Sequence, residues 1–287
     1  MNIVKKIRCK LCMQILYKIY NLIFSKINTI RYYIKEKILY LIVSKRSFHI
    51  LKKENPLISI VMPTFNRSKI LSEIGIPTVL DQTYKNFELI IVSDGSTDKT
   101  AHEVEKFGDP RIKFFHISRK KRYPSNLDNH WACHSVIPTN FGLKKIMGDW
   151  ISHIDDDDLW TKDHLEKLLK FATENKFEFV SSSHIEIRNG KKIIKDHSKD
   201  KPPIGCHQTW LYTSNLSFFE RNINCWRRNW NRIHDVDVQD RMIKVGLNFG
   251  YINDVTYIAQ PRPGENEIGI KAIKQNEEYY KNKYKFE

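Results

Sequence analysis

The apolar positions fall into three regimes along the chain. Residues 1–55 interleave Ile, Leu, Tyr and Phe with Lys and Arg, and hold no Gly or Pro. That texture predicts helix, and its basic, aromatic-rich character predicts an amphipathic helix pair. From Leu57 the pattern changes. Leu57–Met62 and Phe87–Val92 are short, nearly unbroken apolar runs of the kind that form fully buried strands. Each passes through a polar turn, Pro63–Ser68 or Ser93–Asp98, into a helical pattern at Lys69–Asp81 or Thr97–Phe107. Ser68 is placed to cap the first of these helices, which Gly75 and Pro77 will disturb. Arg111–Ile117 reads as a third strand, Asn140–Met147 as a helix and Trp150–Ile154 as a strand. Thr161–Asn175 reads as an amphipathic helix with Leu165, Leu168, Leu169 and Ala172 on one face. The alternation predicts an α/β fold, a Rossmann-like, mostly parallel sheet flanked by helices with right-handed crossovers.

In the third regime the period shortens. Phe177–Ile187 and Lys191–Ile194 flank Asn189-Gly190, a two-residue hairpin signal. Asp235–Val245 reads as a helix, and Leu247–Ile252 and Val255–Ile258 as short strands. Two stretches resist assignment. Residues 118–137 are basic and aromatic, which suits a loop near phosphates or acceptor and equally a solvated loop. Residues 202–232 are rich in Trp, His, Asn and Arg without a clear period. The chain therefore divides into a helical extension over 1–55, a body over 56–260 and a charged, helical tail over 261–287.

Charge sharpens this division. The net +15 is concentrated at the start: residues 1–55 hold 13 Lys/Arg and two acids, Glu36 and Glu54, for +11. The remaining 35 Lys/Arg and 31 acids give +4. Lys18 and Lys26 interrupt the uncharged runs Leu11–Tyr17 and Ile19–Ser25, short of the ~20 apolar residues a spanning helix needs. No signal-peptide pattern is evident. Basic amphipathic helices suit an anionic membrane surface, and otherwise a helical hairpin on the body or a partner. Nucleic acid is not an expected partner, because the segment lacks the Gly, Ser or Arg enrichment of nucleic-acid tails. Five scattered cysteines argue against a disulfide framework and for a reducing compartment, and Cys9-x-x-Cys12 without a second pair argues against zinc. The expected location is cytoplasmic, at the inner membrane face.

One stretch carries most of the chemistry. Asp155-Asp156-Asp157-Asp158 directly follows the strand-like run Trp150–Ile154. Like charges so placed repel, and a divalent cation is the usual counterweight. An acidic helix N-terminus explains only Asp158 and Asp163. A Ca²⁺ loop starting at Asp155 fails, since Leu159 and Trp160 stand where an oxygen ligand and Gly are required.

Four segments occur in a telling order: Ile58–Arg67, Gln82-Thr83-Tyr84, Val92–Asp98 and the acidic run. Together they resemble the family 2 nucleotide-sugar glycosyltransferases of the GT-A fold over roughly residues 56–260. The resemblance implies donor contacts from Pro63, Thr64, Phe65, Asn66 and Arg67, from Asp94, Gly95 and Ser96, and from Asn140, Asp155 and Asp156. It implies Mn²⁺ or Mg²⁺ held by Asp157 and Asp155, in keeping with hard oxygen ligands. Asp158 is left to start the next helix. Pro138–Leu143 is similar to the family's Ala-Arg-Asn-x-Gly segment, but Thr139 stands in the Arg position, and Arg119, Arg122 or a tail residue would have to replace it. Ser93 and His234 also depart from the pattern. His234–Arg241 resembles the segment that supplies the general base of inverting members, which makes Asp235 the catalytic candidate; as plain structure, Asp235 is a helix N-cap and Asp237 pairs with Arg241 at (i, i+4). His207, Trp210, Asn215, Trp226, Trp230 and His234 are candidates for lining an acceptor site. The implied activity is inverting, hexosyltransferase-like transfer from a nucleotide sugar, with UDP the usual nucleotide, to a hydroxyl of a glycan or lipid-linked acceptor in surface polysaccharide synthesis. The alternative is a non-catalytic nucleotide-sugar-binding or scaffold protein on a decayed transferase fold. A glycoside hydrolase would have no use for two nucleotide-type loops on successive strands.

Overall fold

The computed structural model describes residues 2–119, 123–227 and 233–284. Its elements run as α1 (Asn2–Leu51), β1 (Ile58–Thr64), α2 (Ser68–Ile70), a π-helical turn (Leu71–Gly75) and α3 (Ile76–Leu80). Then come β2 (Phe87–Asp94), α4 (Thr100–Glu105), β3 (Ile112–Ile117), α5 (Leu127–Cys133), α6 (Val136–Leu143), β4 (Trp150–His153) and β5 (Leu159–Trp160). The second half contains α7 (His164–Asn175), β6 (Phe179–Arg188), β7 (Lys191–Lys195), β8 (Leu211–Thr213), α8 (His234–Val245), β9 (Phe249–Ala259), α9 (Gly269–Gln275) and α10 (Glu277–Tyr284).

All nine strands join one sheet in the order β3-β2-β1-β4-β8-β6-β9-β5, with β7 on β6. The β3-β2-β1-β4 block is parallel throughout, as its doubly buried apolar strands require. Ile58, Ile60, Val61 and Met62 of β1 and Leu89–Val92 of β2 are all buried. Chain order runs outward from β1 to β3 on one side and resumes at β4 on the other, so the β1/β4 boundary is a topological switch point. The aspartate run leaves the sheet there. Gly142 lets α6 lie close on β1, since a Cβ at that position would come within 2.6 Å of Val61 Cγ1. β8 is antiparallel to both β4 and β6 and so links the two halves of the sheet. Leu165, Leu168, Leu169 and Ala172 form the buried stripe of α7. Asn189 and Gly190 turn the β6–β7 hairpin with φ of 49° and 73°.

Several sequence expectations change. Asn2–Leu51 form one 50-residue helix rather than the pair expected within residues 1–55. Helix α5 occupies the stretch read as loop, and β9 is one strand across the two short ones expected, with register irregularities against β6 between Ser182 and His184. Helix α6 starts earlier than the pattern suggests, at Val136, and α4 is shorter. The disturbance foreseen at Gly75 and Pro77 is the π-helical turn. Ser68 does not cap it; its own N–H is accepted by Asp98 Oδ2 at 3.0 Å, from the loop after β2.

Helix α1 is fastened to α8 by a buried charge cluster. Arg241 bonds Glu36 of α1, Asp237 one turn back at 3.0 Å, and the Glu220 carbonyl. Arg241, Glu36 and Asp237 are each at most 1% exposed. Removing one member leaves charges buried and uncompensated, so Arg241→Ala is expected to destabilise the fold by about 3–5 kcal/mol. Urea titration checks this, and a loss below about 1 kcal/mol would mean that water or a neighbour replaces the guanidinium.

Candidate active site

The acidic run turns sharply out of β4, and each carboxylate meets a different environment. Asp156 is buried and held by Thr64 Oγ1 and Arg67 Nη1, both at 2.6 Å, so the end of β1 and the loop after it secure the run. Gly75 presses from the other side. A Cβ there would lie 2.7 Å from the Asp156 carbonyl oxygen. Asp155 accepts from Gln208 Nε2 at 2.9 Å. Asp157 is flanked by Arg67 Nη1 at 3.2 Å and Arg262 Nε at 2.6 Å.

Oxygens of Asp155, Asp157 and Asp158 lie within 4.8 Å of one another. Burial, then repulsion from Asp157 and Asp156, pushes the Asp155 carboxyl up to about 7. Burial and the same crowding push Asp158 up. For Asp157 burial raises, but the guanidiniums of Arg67 and Arg262 outweigh it and hold the carboxyl well below the usual range. The donor set is hard oxygen only, and its protonated members would ionise beside a cation, so these residues fit Mg²⁺ or Mn²⁺. Asp158 thus belongs to the cluster. It does not start a helix, because α7 begins at His164 after an N-cap at Asp163.

Two cavities adjoin the run. The smaller, about 60 Å³, is walled by Pro63, Thr64, Phe65, Arg67 and Asp94, with Arg119 and Tyr284 opposite. Asp94 accepts from Arg119 Nη1 at 2.6 Å and Tyr123 at 3.0 Å, while its Oδ1 is buried with no partner among the described residues. Burial raises the Asp94 carboxyl against the opposing pull of Arg119 and Tyr123. The Arg119 guanidinium lies 4.0 Å over the Phe65 ring, an aromatic–cation wall suited to stacking a base. The larger cavity, about 260 Å³, is lined by Asp155, Asp157 and Asp158 together with His207, His234 and Asp235. Asp235 sits in the first turn of α8. Its Oδ1 accepts from the Val236 N–H at 2.8 Å, and the N-cap is Ile233, so the capping role does not apply. Burial raises the Asp235 carboxyl. Burial also holds the His134, His207 and His234 imidazoles below their ordinary range, and His234 Nε2 meets Ser135 Oγ at 2.9 Å.

Other candidates stand apart from the cavities. Asn66 ties the two strand-end loops together, its N–H donating to Ser96 Oγ at 3.0 Å and its Oδ1 accepting from the Thr97 N–H at 2.7 Å. Gly95, at φ +75°, lets Arg119 cross close by. Asn140 binds the backbone of Arg221 in both directions, at 2.7 and 2.8 Å. Trp210 is core, donating to the Gly205 carbonyl and packing edge-on against Phe179. Trp226 packs beside Ala132 and Cys133 with Arg227 over its ring, and Asn215 lies on a short 3₁₀ turn. Trp230 and Arg122 fall outside the described residues. Gln208, Arg262 and Tyr284 were not singled out from the sequence. Only Arg262 had a signal, a cation fixed between Pro261 and Pro263 just after a strand. Besides Asp157, it pairs with Glu265 at 3.3 Å.

The sequence profile described as "Glycosyl transferase family 2" matches residues 59–133 and 137–236. The chain belongs to this family. It is 33% identical over 138 residues to "UDP-Glc:alpha-D-GlcNAc-diphosphoundecaprenol beta-1,3-glucosyltransferase WfgD" of Escherichia coli, covering 48% of this chain and 49% of WfgD. S. aureus TarS in complex with UDP superposes with a TM-score of 0.56 at 19% identity, covering 72% of this chain and 61% of the TarS chain. The mannosyltransferase PcManGT from Pyrobaculum calidifontis, in complex with GDP-Man and Mn²⁺, superposes with a TM-score of 0.53 at 17% identity, covering 82% and 69%. These likenesses establish the GT-A fold. The family 2 chain described here spans about a fifth of the length of two matching Rickettsia relatives and about half of WfgD.

The contact at Gly75 is directly testable. Gly75→Ala should leave the fold intact yet shift the Asp156 backbone, lowering turnover by about 10²-fold and weakening Mn²⁺ binding. Circular dichroism and Mn²⁺ electron paramagnetic resonance titration check both halves, and unchanged Mn²⁺ affinity would show that the aspartate loop tolerates the methyl group.

Proposed function

We propose that this family 2 chain is a metal-dependent, inverting glycosyltransferase that moves a sugar from a nucleotide sugar to a hydroxyl of a glycan or lipid-linked acceptor. The observation that carries the reading is that the Asp155–Asp157–Asp158 cluster and Asp235, the carboxyl in the first turn of α8, line one 260 Å³ cavity. The cluster suits a nucleoside diphosphate and Asp235 suits activation of a hydroxyl.

In this reading Asp94 Oδ1 accepts a donor from the base or ribose, and Phe65 with Arg119 flanks the base. Asp157, Asp155 and Asp158 would hold a divalent ion, which when bound would supply positive charge beside the departing diphosphate. Arg67 and Arg262 lie beside the same carboxylates and stabilise the same developing charge. Asp235 takes the proton of the acceptor hydroxyl as its oxygen bonds the anomeric carbon. The bond from that carbon to the diphosphate oxygen breaks on the opposite face, and the nucleoside diphosphate leaves with the electron pair. Neutral His207 and His234 line the cavity and offer hydrogen bonds to hydroxyls of a polyol. UDP is the nucleotide favoured by the likeness to the UDP complex of TarS and to WfgD. The WfgD name also favours a lipid diphosphate-linked acceptor, and hence polysaccharide synthesis at the inner membrane face.

A panel of nucleotide sugars with Mn²⁺ and lipid-linked or free glycan acceptors tests this. Asp157→Ala should abolish metal-dependent transfer. Asp235→Asn should cost about 10²–10⁴-fold in kcat with nucleotide affinity retained. A base whose pKa is raised is protonated and idle below that pKa, so activity should climb with pH along a limb lying above the ordinary carboxylate range. Full activity of Asp157→Ala would refute the metal assignment. Nucleotide binding without turnover across the whole panel would favour a binding protein on the same fold.

A further inference from the structure

Helix α1 is 50 residues long, about 75 Å at 1.5 Å per residue, and its polar contacts to the α/β body between Asn21 and Tyr40 gather on one side. On that side Asn21 meets Arg227 at 3.0 Å, the Tyr32 ring lies under Arg241, Glu36 joins the Arg241 cluster, and Tyr40 donates to Glu178 at 3.0 Å. The other side carries Leu16, Tyr20, Ile23, Ile27, Ile30 and Ile34, which recur at alternating steps of four and three residues. Each is more than half exposed. At about 100° per residue these six fall on one face, roughly opposite the docked residues. Ile15, Ile19 and Tyr33 on one flank and Met13, Tyr17 and Ile42 on the other are exposed as well and widen the strip to a little over half the circumference. An unpartnered apolar face of this extent is costly in water.

Charge decides what covers it. Lys18, Lys26, Arg31 and Lys35 are exposed on the same helix. The single acid between Asn2 and Leu51 is Glu36, buried against Arg241. A second copy of α1 would bring only bases against bases, with no acid at the flanking positions where coiled coils place pairs. The arc is also wider than a two-position seam. An anionic lipid surface supplies both the apolar layer and the opposite charge, and lysine stems can reach from the apolar arc back to the headgroups. No helix among the described residues is long and apolar enough to cross a membrane, in keeping with a helix lying in the interface plane.

We propose that the outward face of α1 between Met13 and Ile42 lies in the headgroup layer of an anionic bilayer, while its inward face carries the α/β body. The purpose of this contact rests on the proposed transfer to a lipid-linked acceptor; the contact itself does not. The docked side reaches α8, whose first turn holds Asp235, and Lys37 Nζ donates to the Val245 carbonyl at the other end of α8 at 2.6 Å. Helix α1 therefore fixes the distance between the bilayer and the acceptor side of the site.

Flotation of the full chain with phosphatidylglycerol-containing vesicles tests the proposal, with phosphatidylcholine vesicles as reference. Wild type should float with the anionic vesicles and far less with the neutral ones. The triple variant Ile23→Glu, Ile27→Glu, Ile30→Glu should lose binding by about tenfold or more, with an unchanged circular dichroism spectrum because all three sites are exposed. The variant Lys26→Glu, Arg31→Glu, Lys35→Glu should lose the preference for anionic vesicles. Equal flotation of the first variant and wild type overturns the proposal. So does a stable dimer in sedimentation that the isoleucine substitutions dissociate while wild type stays off vesicles; a second copy would then cover the face. Flotation needs no turnover, so it stands or falls separately from the transferase activity, which a soluble acceptor measures.

Discussion

The structure turns on the mutual repulsion of four consecutive carboxylates at the end of a buried strand. Left alone, Asp155–Asp158 would spread apart or take up protons, and two of them, Asp155 and Asp158, are indeed held toward the protonated form. What keeps the run compact comes from every part of the chain. The loop after β1 gives Thr64 and Arg67, the turn before β8 gives Gln208, and the segment after β9 gives Arg262. The π-helical turn gives Gly75, the only residue type without a Cβ to collide with the Asp156 carbonyl.

Strand order explains why this convergence occurs at one place. Crossovers lead away from β1 on both sides, so a crevice opens at the β1/β4 boundary. The crevice is split by the acidic run into an aromatic, guanidinium-walled half around Asp94 and a histidine- and carboxylate-lined half ending at Asp235. The two halves differ in the groups they offer, and a bisubstrate reaction needs that difference.

The parallel block was legible because doubly buried strands leave continuous apolar runs, and the acidic run was legible because like charges in sequence demand an explanation. Asp94 and Asp235, which line the two cavities, were singled out through their places in family-like motifs, not through any local signal. What stayed hidden depends on tertiary contact. Gln208 is one polar residue in a stretch without period, and its bond to Asp155 exists only because β8 inserts beside β4. Helix α5 was obscured by surrounding basic residues, although Asn126 caps it by accepting the Asn129 N–H at 3.1 Å. The break expected within residues 1–55 has no counterpart in the structure, since a run free of Gly and Pro has nothing to end a helix. Asn66 and Asn140 were read as donor contacts from their motifs, yet their amides are engaged in holding loops. The motif is consistent with a loop-shaping role as well as with a ligand.

Helix α8 connects the two ends of the molecule's chemistry. Its first turn presents Asp235 to the cavity, its middle sinks Arg241 into a cluster with Glu36, and its last carbonyls receive Lys37. A buried guanidinium shared by α1 and α8 is a poor source of net stability compared with an apolar contact of equal volume. It is, however, exacting about geometry, because a slip of one helical turn between α1 and α8 would strand Glu36 without a cation, while Asp237 and Arg241, both on α8, would stay paired. The cluster therefore fixes register between α1 and α8 where a leucine contact would tolerate sliding. Whatever holds α1 from outside is thereby held in a defined relation to the carboxyl that faces the acidic run.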